Sequence, residues 1–166
     1  MSKILSAGSV KIGGNNPLVL IAGPCAIESL EHTLNMARAL REIAERVGVS
    51  LVFKVSYDKA NRTSVNSYRG PGIVEGLKIL QAVKDETGLP VISDVHDVTQ
   101  VKAAAEVLDI IQIPAFLSRQ TDLLVAVGES GCIVNIKKGQ FLAPDDMKNV
   151  IKKMQVPKLT DYILKN

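Results

Sequence analysis

Val91-Ile92-Ser93-Asp94-Val95-His96-Asp97 leads through a helical pattern, Val98 to Val107, into Ile110-Ile111-Gln112-Ile113. Two short β-branched runs flank one amphipathic segment, and that is the reading of a βαβ unit. Neither run alternates apolar with polar, which predicts strands covered on both faces, the mark of a parallel sheet. The pattern repeats outward in both directions. Leu18 to Ile21, Leu51 to Val55 and Ile133 to Ile136 are further strand candidates. Leu30, Leu34, Ala37, Ile43 and Val47 recur at helical spacing before Gly48, and Pro71 to Thr87 carries Ile73, Leu77, Leu80 and Val83 before Gly88. Thr121 to Glu129 and Asp145 to Met154 complete the helices, the last with Pro144 near its first turn. Five β-then-α units impose right-handed crossovers and an α/β fold, doubly wound or closed into a barrel. Residues 3–14 fit a small hairpin ahead of the first strand. No linker, charge block or repeat divides the chain, so residues 1–166 are read as a single domain.

Length and composition narrow the function classes. The chain has 166 residues, 46% apolar and 22% charged, enough for a core and too ordered in composition for disorder. Its longest apolar stretch, around Leu18 to Ala22, is far short of the ~20 residues of a membrane span, and no signal peptide is visible. A net charge of +3, six aromatics and no Trp leave little for a nucleic-acid surface. Cys25 and Cys132 lie far apart without a CxxC spacing, so reduced thiols and a cytoplasmic location are expected.

In parallel α/β folds, ligands sit at the carboxyl ends of the strands. All five predicted strand ends here carry polar groups. They are Gly23-Pro24-Cys25-Ala26-Ile27-Glu28-Ser29, Lys54 to Ser64, Asp94-Val95-His96-Asp97, Gln112 with Pro114 and Arg119-Gln120, and Lys137-Lys138-Gly139-Gln140. The second is densest. Lys54, Lys59, Arg62 and Arg69 face one acid, Asp58, among Ser56, Asn61, Thr63, Ser64 and Ser67. Guanidinium, ammonium and hydroxyl donors in one loop suit a phosphate oxyanion. A solvated basic loop is the alternative, weakened because Lys54 lies inside an apolar run where an unpaired ammonium is costly. Lys137 ends the fifth run in the same way, and an anionic ligand between the two lysines explains both.

Other candidates are weaker on residues alone. Cys25 is either a small buried hydrophobe or a metal ligand. His96 either contacts substrate or is a satisfied loop histidine. His32 reads as a surface or capping residue, Cys132 as core, and Glu28 as a possible cap for the first helix. There is no GxGxxG, GxxxxGK[ST] or nucleophile elbow, so nucleotide binding and serine hydrolysis have no support.

Taken in order, these segments resemble the 3-deoxy-D-manno-octulosonate 8-phosphate synthases (2-dehydro-3-deoxyphosphooctonate aldolases). The carriers are Gly23 to Ser29, Phe53-Lys54, Asp58 to Ser64, Tyr68-Arg69-Gly70-Pro71-Gly72, Ser93 to His96, Gln112 to Phe116, Arg119 to Leu123 and Lys137 to Phe141. Lys59-Ala60-Asn61-Arg62 is the specific run, since the sibling synthase using erythrose 4-phosphate usually shows Lys-Pro-Arg there. The resemblance implies a (β/α)8 barrel, of which about five of eight units are evident in residues 1 to about 154. It implies condensation of phosphoenolpyruvate with arabinose 5-phosphate, on the route to lipopolysaccharide, by a cytoplasmic homotetramer with no nucleic-acid or membrane partner.

The resemblance also implies roles. Positions matching Lys54, Ser56, Gln112, Ala115, Lys137 and Gln140 hold phosphoenolpyruvate, and those matching Lys59, Asn61, Arg62 and Ser64 hold arabinose 5-phosphate. Thr63, Pro114 and Arg119 join them as substrate-binding candidates. Lys54, Lys59, Asp94, His96 and Lys137 are the catalytic candidates. The cysteine turn marks the metal-dependent branch, with Cys25 a ligand of a divalent metal (zinc, iron or manganese), and no nucleotide or organic cofactor is expected. Residues 155–166 resemble the family's C-terminal helix, joined where a segment carrying the remaining metal ligands is missing. The alternatives are the erythrose-4-phosphate synthase and a phosphosugar-binding or assembly fragment without turnover.

Overall fold

The computed structural model describes residues 3–155 and 162–165. It divides into two compact units, residues 1–93 and 94–166, at a point where the sequence offers no linker. In the first, β1 (Leu5–Ala7) and β2 (Val10–Ile12) form the expected antiparallel hairpin. Then follow β3 (Val19–Ala22), α1 (Leu30–Val47), β4 (Ser50–Lys54), α2 (Ile73–Thr87) and β5 (Val91–Asp94). Strand β4 lies between β3 and β5, parallel to both, with Ala22 opposite Phe53 and Lys54 opposite Ile92. The second unit has α3 (Val98–Val107), β6 (Ile110–Ile113), α4 (Thr121–Glu129), β7 (Ile133–Lys137), α5 (Met147–Met154) and β8 (Tyr162–Lys165). Strand β7 lies between β6 and β8, again parallel, with Ile113 opposite Ile136 and Lys137 opposite Lys165. Parallel strands in chain order, alternating with helices, make this a partial (β/α)8-type fold.

Local chemistry sets the helix limits. Ser29 Oγ accepts from His32 N at the start of α1, and Gly48, at φ +69°, ends it with its N–H on the Ala44 and Glu45 carbonyls. The cap is therefore Ser29 and not Glu28, whose longer side chain is not needed once a hydroxyl stands at the extended position. Asp97 caps α3, its Oδ1 accepting from Thr99 N at 2.8 Å. Residues 144–146 form a 3-10 turn, so the last helix starts at Met147 rather than Asp145.

The core follows the predicted runs, with two departures, and one segment changes its secondary structure. Strands β5 and β6 are buried at every position, as two-sided cover requires. Strand β3 is not: Leu20 is 43% exposed, and no residue of β3 is fully buried. On α1 the buried residues are Thr33, Ala37 and Ala44, while Leu30, Ile43 and Val47 are exposed. The small side chains admit close approach and push the larger apolar ones to the flank. Finally, Tyr162–Lys165, which fall in the segment expected to be a helix, form a strand. The edge of β7 offers unpaired N–H and C=O groups, and Tyr-Ile-Leu favours pairing with it over a one-turn helix. The rest of that expectation, residues 156–161 and 166, lies outside the described residues.

Candidate functional site

In the first unit, the carboxyl ends of β3 and β4 are locked together. Ile27 N donates to Ser56 O at 2.9 Å, so the Gly23-Pro24-Cys25 turn runs beside the end of β4. A Cβ on Gly23 would stand 2.0 Å from the Lys54 carbonyl oxygen, so only glycine fits that turn. Lys54 is half-buried at the last position of β4, and its Nζ donates to the Ser56 hydroxyl, itself buried. An ammonium and a hydroxyl thus stand side by side at one strand end. Cys25 is exposed, and no group of three His, Cys, Asp or Glu side chains among the described residues is placed to hold a metal ion.

The loop from Tyr57 to Gly72 is closed at its neck. Gly72 N donates to Tyr57 O at 3.0 Å and Lys59 N to Arg69 O at 2.7 Å. Arg69 grips the Asp58 carboxylate with two bonds, 2.8 and 2.6 Å, which holds its guanidinium above an already high ordinary value. Tyr57 is fully buried, and Gly76 of α2 lies so near it that a Cβ there would meet Tyr57 Cβ at 2.2 Å. From this neck, Tyr68 OH reaches back to Ile27 O at 2.8 Å and ties the loop to the cysteine turn. Arg62 Nε donates to Tyr68 O at 3.1 Å. Asn61, Arg62, Thr63 and Ser64 are all exposed, and Lys59 is half-buried. The one acid in the loop is used by Arg69, which leaves Lys59 and Arg62 without a carboxylate partner among the described residues.

The second unit, which begins at Asp94, carries buried polar side chains at Asp94, on β6 and on β7. Asp94 Oδ2 lies 3.0 Å from His96 Nε2, and both are at least five-sixths buried. His96 N donates to Gln100 Oε1 at 2.9 Å, which fixes the start of the β5–α3 turn. The Gln112 carbonyl accepts from Val95 N at 3.1 Å, and its side-chain Oε1 accepts from Asn135 Nδ2 at 3.2 Å. Pro114 and Ala115 open a 3-10 turn, Ala115–Leu117, after β6.

The tandem lysines at the end of β7 differ. Lys138 Nζ donates to the Gly139 and Leu142 carbonyls and folds the following loop, whereas Lys137 is exposed with no partner among the described residues. Gln140 is exposed on that loop. Arg119 is exposed and lines a cleft with Phe141, Asp146, Asn149 and Lys153. Cys132, expected in the core, is half-buried with its thiol 3.8 Å from the Ala105 and Leu108 carbonyls.

Two contacts at this level have no expectation from the sequence. Asn135 was hidden in an apolar run, where a lone amide among β-branched residues is the signal. Tyr68 stood among polar loop residues, and nothing local marks its reach to Ile27.

The chain matches the family described as the DAHP synthetase I family over residues 2–163. It is 65% identical over 154 residues to a protein of Geobacter sulfurreducens named 2-dehydro-3-deoxyphosphooctonate aldolase, covering 93% of this chain and 57% of that protein. Proteins with the same name from Citrifermentans bemidjiense (60% identical; 93% and 56% covered) and Geotalea uraniireducens (63%; 92% and 56%) are similar. The chain thus spans a little over half the length of the curated relatives it matches.

Proposed function

The chain belongs to the DAHP synthetase I family, and on that premise we propose that it serves the condensation of phosphoenolpyruvate with arabinose 5-phosphate and water. The products are 3-deoxy-D-manno-octulosonate 8-phosphate and phosphate. The observation that carries the reading is the shared name of relatives 60–65% identical over nearly all of this chain. The loop Lys59-Ala60-Asn61-Arg62 supports it against the erythrose-4-phosphate reaction.

In the proposed reaction, C3 of phosphoenolpyruvate attacks the sugar aldehyde carbon, and the aldehyde oxygen takes a proton. Water adds at C2, and phosphate leaves with cleavage of its C–O bond. Lys54, Ser56, Gln112, Ala115, Lys137 and Gln140 are assigned to phosphoenolpyruvate. Lys59, Asn61, Arg62 and Ser64 are assigned to arabinose 5-phosphate, with Thr63, Pro114 and Arg119 as further substrate contacts. The cations offset the charge of two phosphorylated substrates and hold them in register. Asp94 fixes the His96 ring through Nε2, so that the pair lines the site in one orientation.

Cys25 is proposed as one ligand of a divalent metal, which would polarise a carbonyl or water oxygen when bound. No group of three or more His, Cys, Asp or Glu side chains among the described residues is placed to hold a metal ion, so they do not form that site by themselves, and no step above depends on it. A homotetramer in the cytoplasm completes the reading. No helix among the described residues is long and apolar enough to cross a membrane.

A second reading, a phosphosugar-binding chain without turnover, is favoured by the lack of a three-ligand cluster among the described residues. One experiment separates the two. The full chain is titrated with each substrate by calorimetry, and phosphate release is followed with both present. Binding with release supports the synthase, and binding without release supports the second reading. Loss of binding to both substrates overturns both.

A further inference from the structure

Asn135 sits fully buried in the run Ile133-Val134-Asn135-Ile136 of β7, where valine or isoleucine would suit the core and the strand better. Its Nδ2 donates to Oε1 of Gln112, its register partner on β6, at 3.2 Å. Gln112 is only 4% exposed, and its backbone is pinned by the bond from Val95 N. Asn135 Oδ1 is buried with no hydrogen-bond partner among the described residues. A purely structural residue gains nothing from such an atom, since a buried polar group without a partner is a cost.

The pair has two possible arrangements. In the one observed, Asn135 donates and Gln112 accepts, which leaves Gln112 Nε2 with no partner among the described residues. Turning both amides over would leave the Asn135 N–H groups buried without an acceptor. Orphaned buried N–H groups are rarer than under-used carbonyl oxygens, so the observed arrangement is favoured. A carboxylate or phosphate ligand needs donors and is repelled by a carbonyl oxygen.

We propose that Asn135 is a positioning residue that fixes the Gln112 amide so that its NH2, and not its oxygen, faces an anionic ligand at the end of β6. This rests on the phosphoenolpyruvate reading of Gln112, and the test separates the two claims. In the 15N-labelled full chain, the Gln112 side-chain NH2 signals are identified by their loss in Gln112→Glu. Asn135→Asp keeps the shape but makes the donor depend on pH. The protonated carboxyl donates to Gln112 Oε1, whereas the ionised one accepts from Nε2 and turns the amide over.

The Gln112 NH2 signals of this variant should therefore follow pH through the carboxyl titration, and those of the parent should not. Calorimetric affinity for phosphoenolpyruvate should be at least tenfold below the parent at the high-pH end and recover toward it at the low-pH end. If the buried carboxylate prevents folding, Asn135→Ser removes the reach without a charge. Its Gln112 signals should shift, and its affinity should fall three- to tenfold. Gln112 signals unchanged from the parent in whichever variants fold overturn the proposal, as does a lowered urea midpoint with unaltered affinity. Should the parent not bind phosphoenolpyruvate, the ligand reading fails, and the Gln112 signals alone decide the positioning claim.

Discussion

Replacing Gly23 with alanine tests how the cysteine turn and the Lys54 strand end are built. An added Cβ would lie 2.0 Å from Lys54 O, 2.9 Å from its carbonyl carbon and 3.2 Å from its nitrogen, where ordinary contact begins at 3.4 Å. All three neighbours are backbone, so no side chain can swing away. The turn and the end of β4 must separate by more than 1 Å, which also strains the bond from Ile27 N to Ser56 O. Overpacking of this kind costs about 1–3 kcal/mol, and a clash with paired backbone belongs at the upper end. Because Lys54 moves with its carbonyl, a displacement of ~1 Å should slow phosphate release with both substrates present by up to about 100-fold. Urea unfolding followed by circular dichroism suits a chain without Trp. Gly48→Ala is the control: its Cβ meets nothing within 4 Å, so only the left-handed backbone resists it, at about 1–2 kcal/mol. Stability of Gly23→Ala within about 0.5 kcal/mol of the parent, or above that of Gly48→Ala, would refute the reasoning.

Four further outcomes are expected. Arg62→Ala should weaken arabinose 5-phosphate binding by about 1.5–3 kcal/mol and leave phosphoenolpyruvate nearly unchanged; equal loss for both would place the loop elsewhere. Lys137→Met, at an exposed position, should keep the urea midpoint while phosphoenolpyruvate affinity and any turnover collapse, and near-normal values would remove this ammonium from the site. Asp97→Ala should lower the melting temperature, because the bonds from the Thr99 hydroxyl and N–H hold the Asp97 carboxyl below its ordinary value. A depressed carboxyl contributes stability above its unfolded value and loses it as pH falls through the folded one, so the gap between parent and variant should persist down to about pH 4 and close below it. Elemental analysis of a verified 166-residue chain should find substoichiometric metal, and one tightly bound ion per chain would show that ligands other than Cys25 were overlooked.

What could be read from the sequence was what neighbouring residues decide. Val98–Val107, Ile110–Ile113 and Thr121–Glu129 begin and end where Asp97, the β-branched runs and the apolar spacing place them. The basic loop was legible because its donors outnumber its single acid. What was not legible depends on partners distant in the chain. Leu20 belongs to a strand run whether or not its face is covered, and only the packed structure shows that it is exposed. Ser29 and Glu28 are both capping types, and the choice falls to backbone geometry at one residue. Tyr162–Lys165 is too short to announce either helix or strand, and the free edge of β7 decides.

The tandem Lys137-Lys138 shows the same division within the candidate site. Composition and spacing predict a cation after β7, and the resemblance assigns it to Lys137, yet alternation along a strand gives adjacent side chains opposite faces without saying which face holds the ligand. The structure distinguishes them by use. Lys138 is spent on two carbonyls, Gly139 O and Leu142 O, and so shapes the loop that carries Gln140. Lys137 keeps its three donors uncommitted among the described residues, at the end of the strand whose buried Asn135 orders Gln112. An exposed lysine costs the fold nothing, but a buried amide pair with one atom left unpaired among the described residues is costly to maintain in a protein that binds nothing there. The two features together therefore argue for an anionic ligand at the carboxyl ends of β6 and β7 more strongly than either lysine does by its position in the sequence.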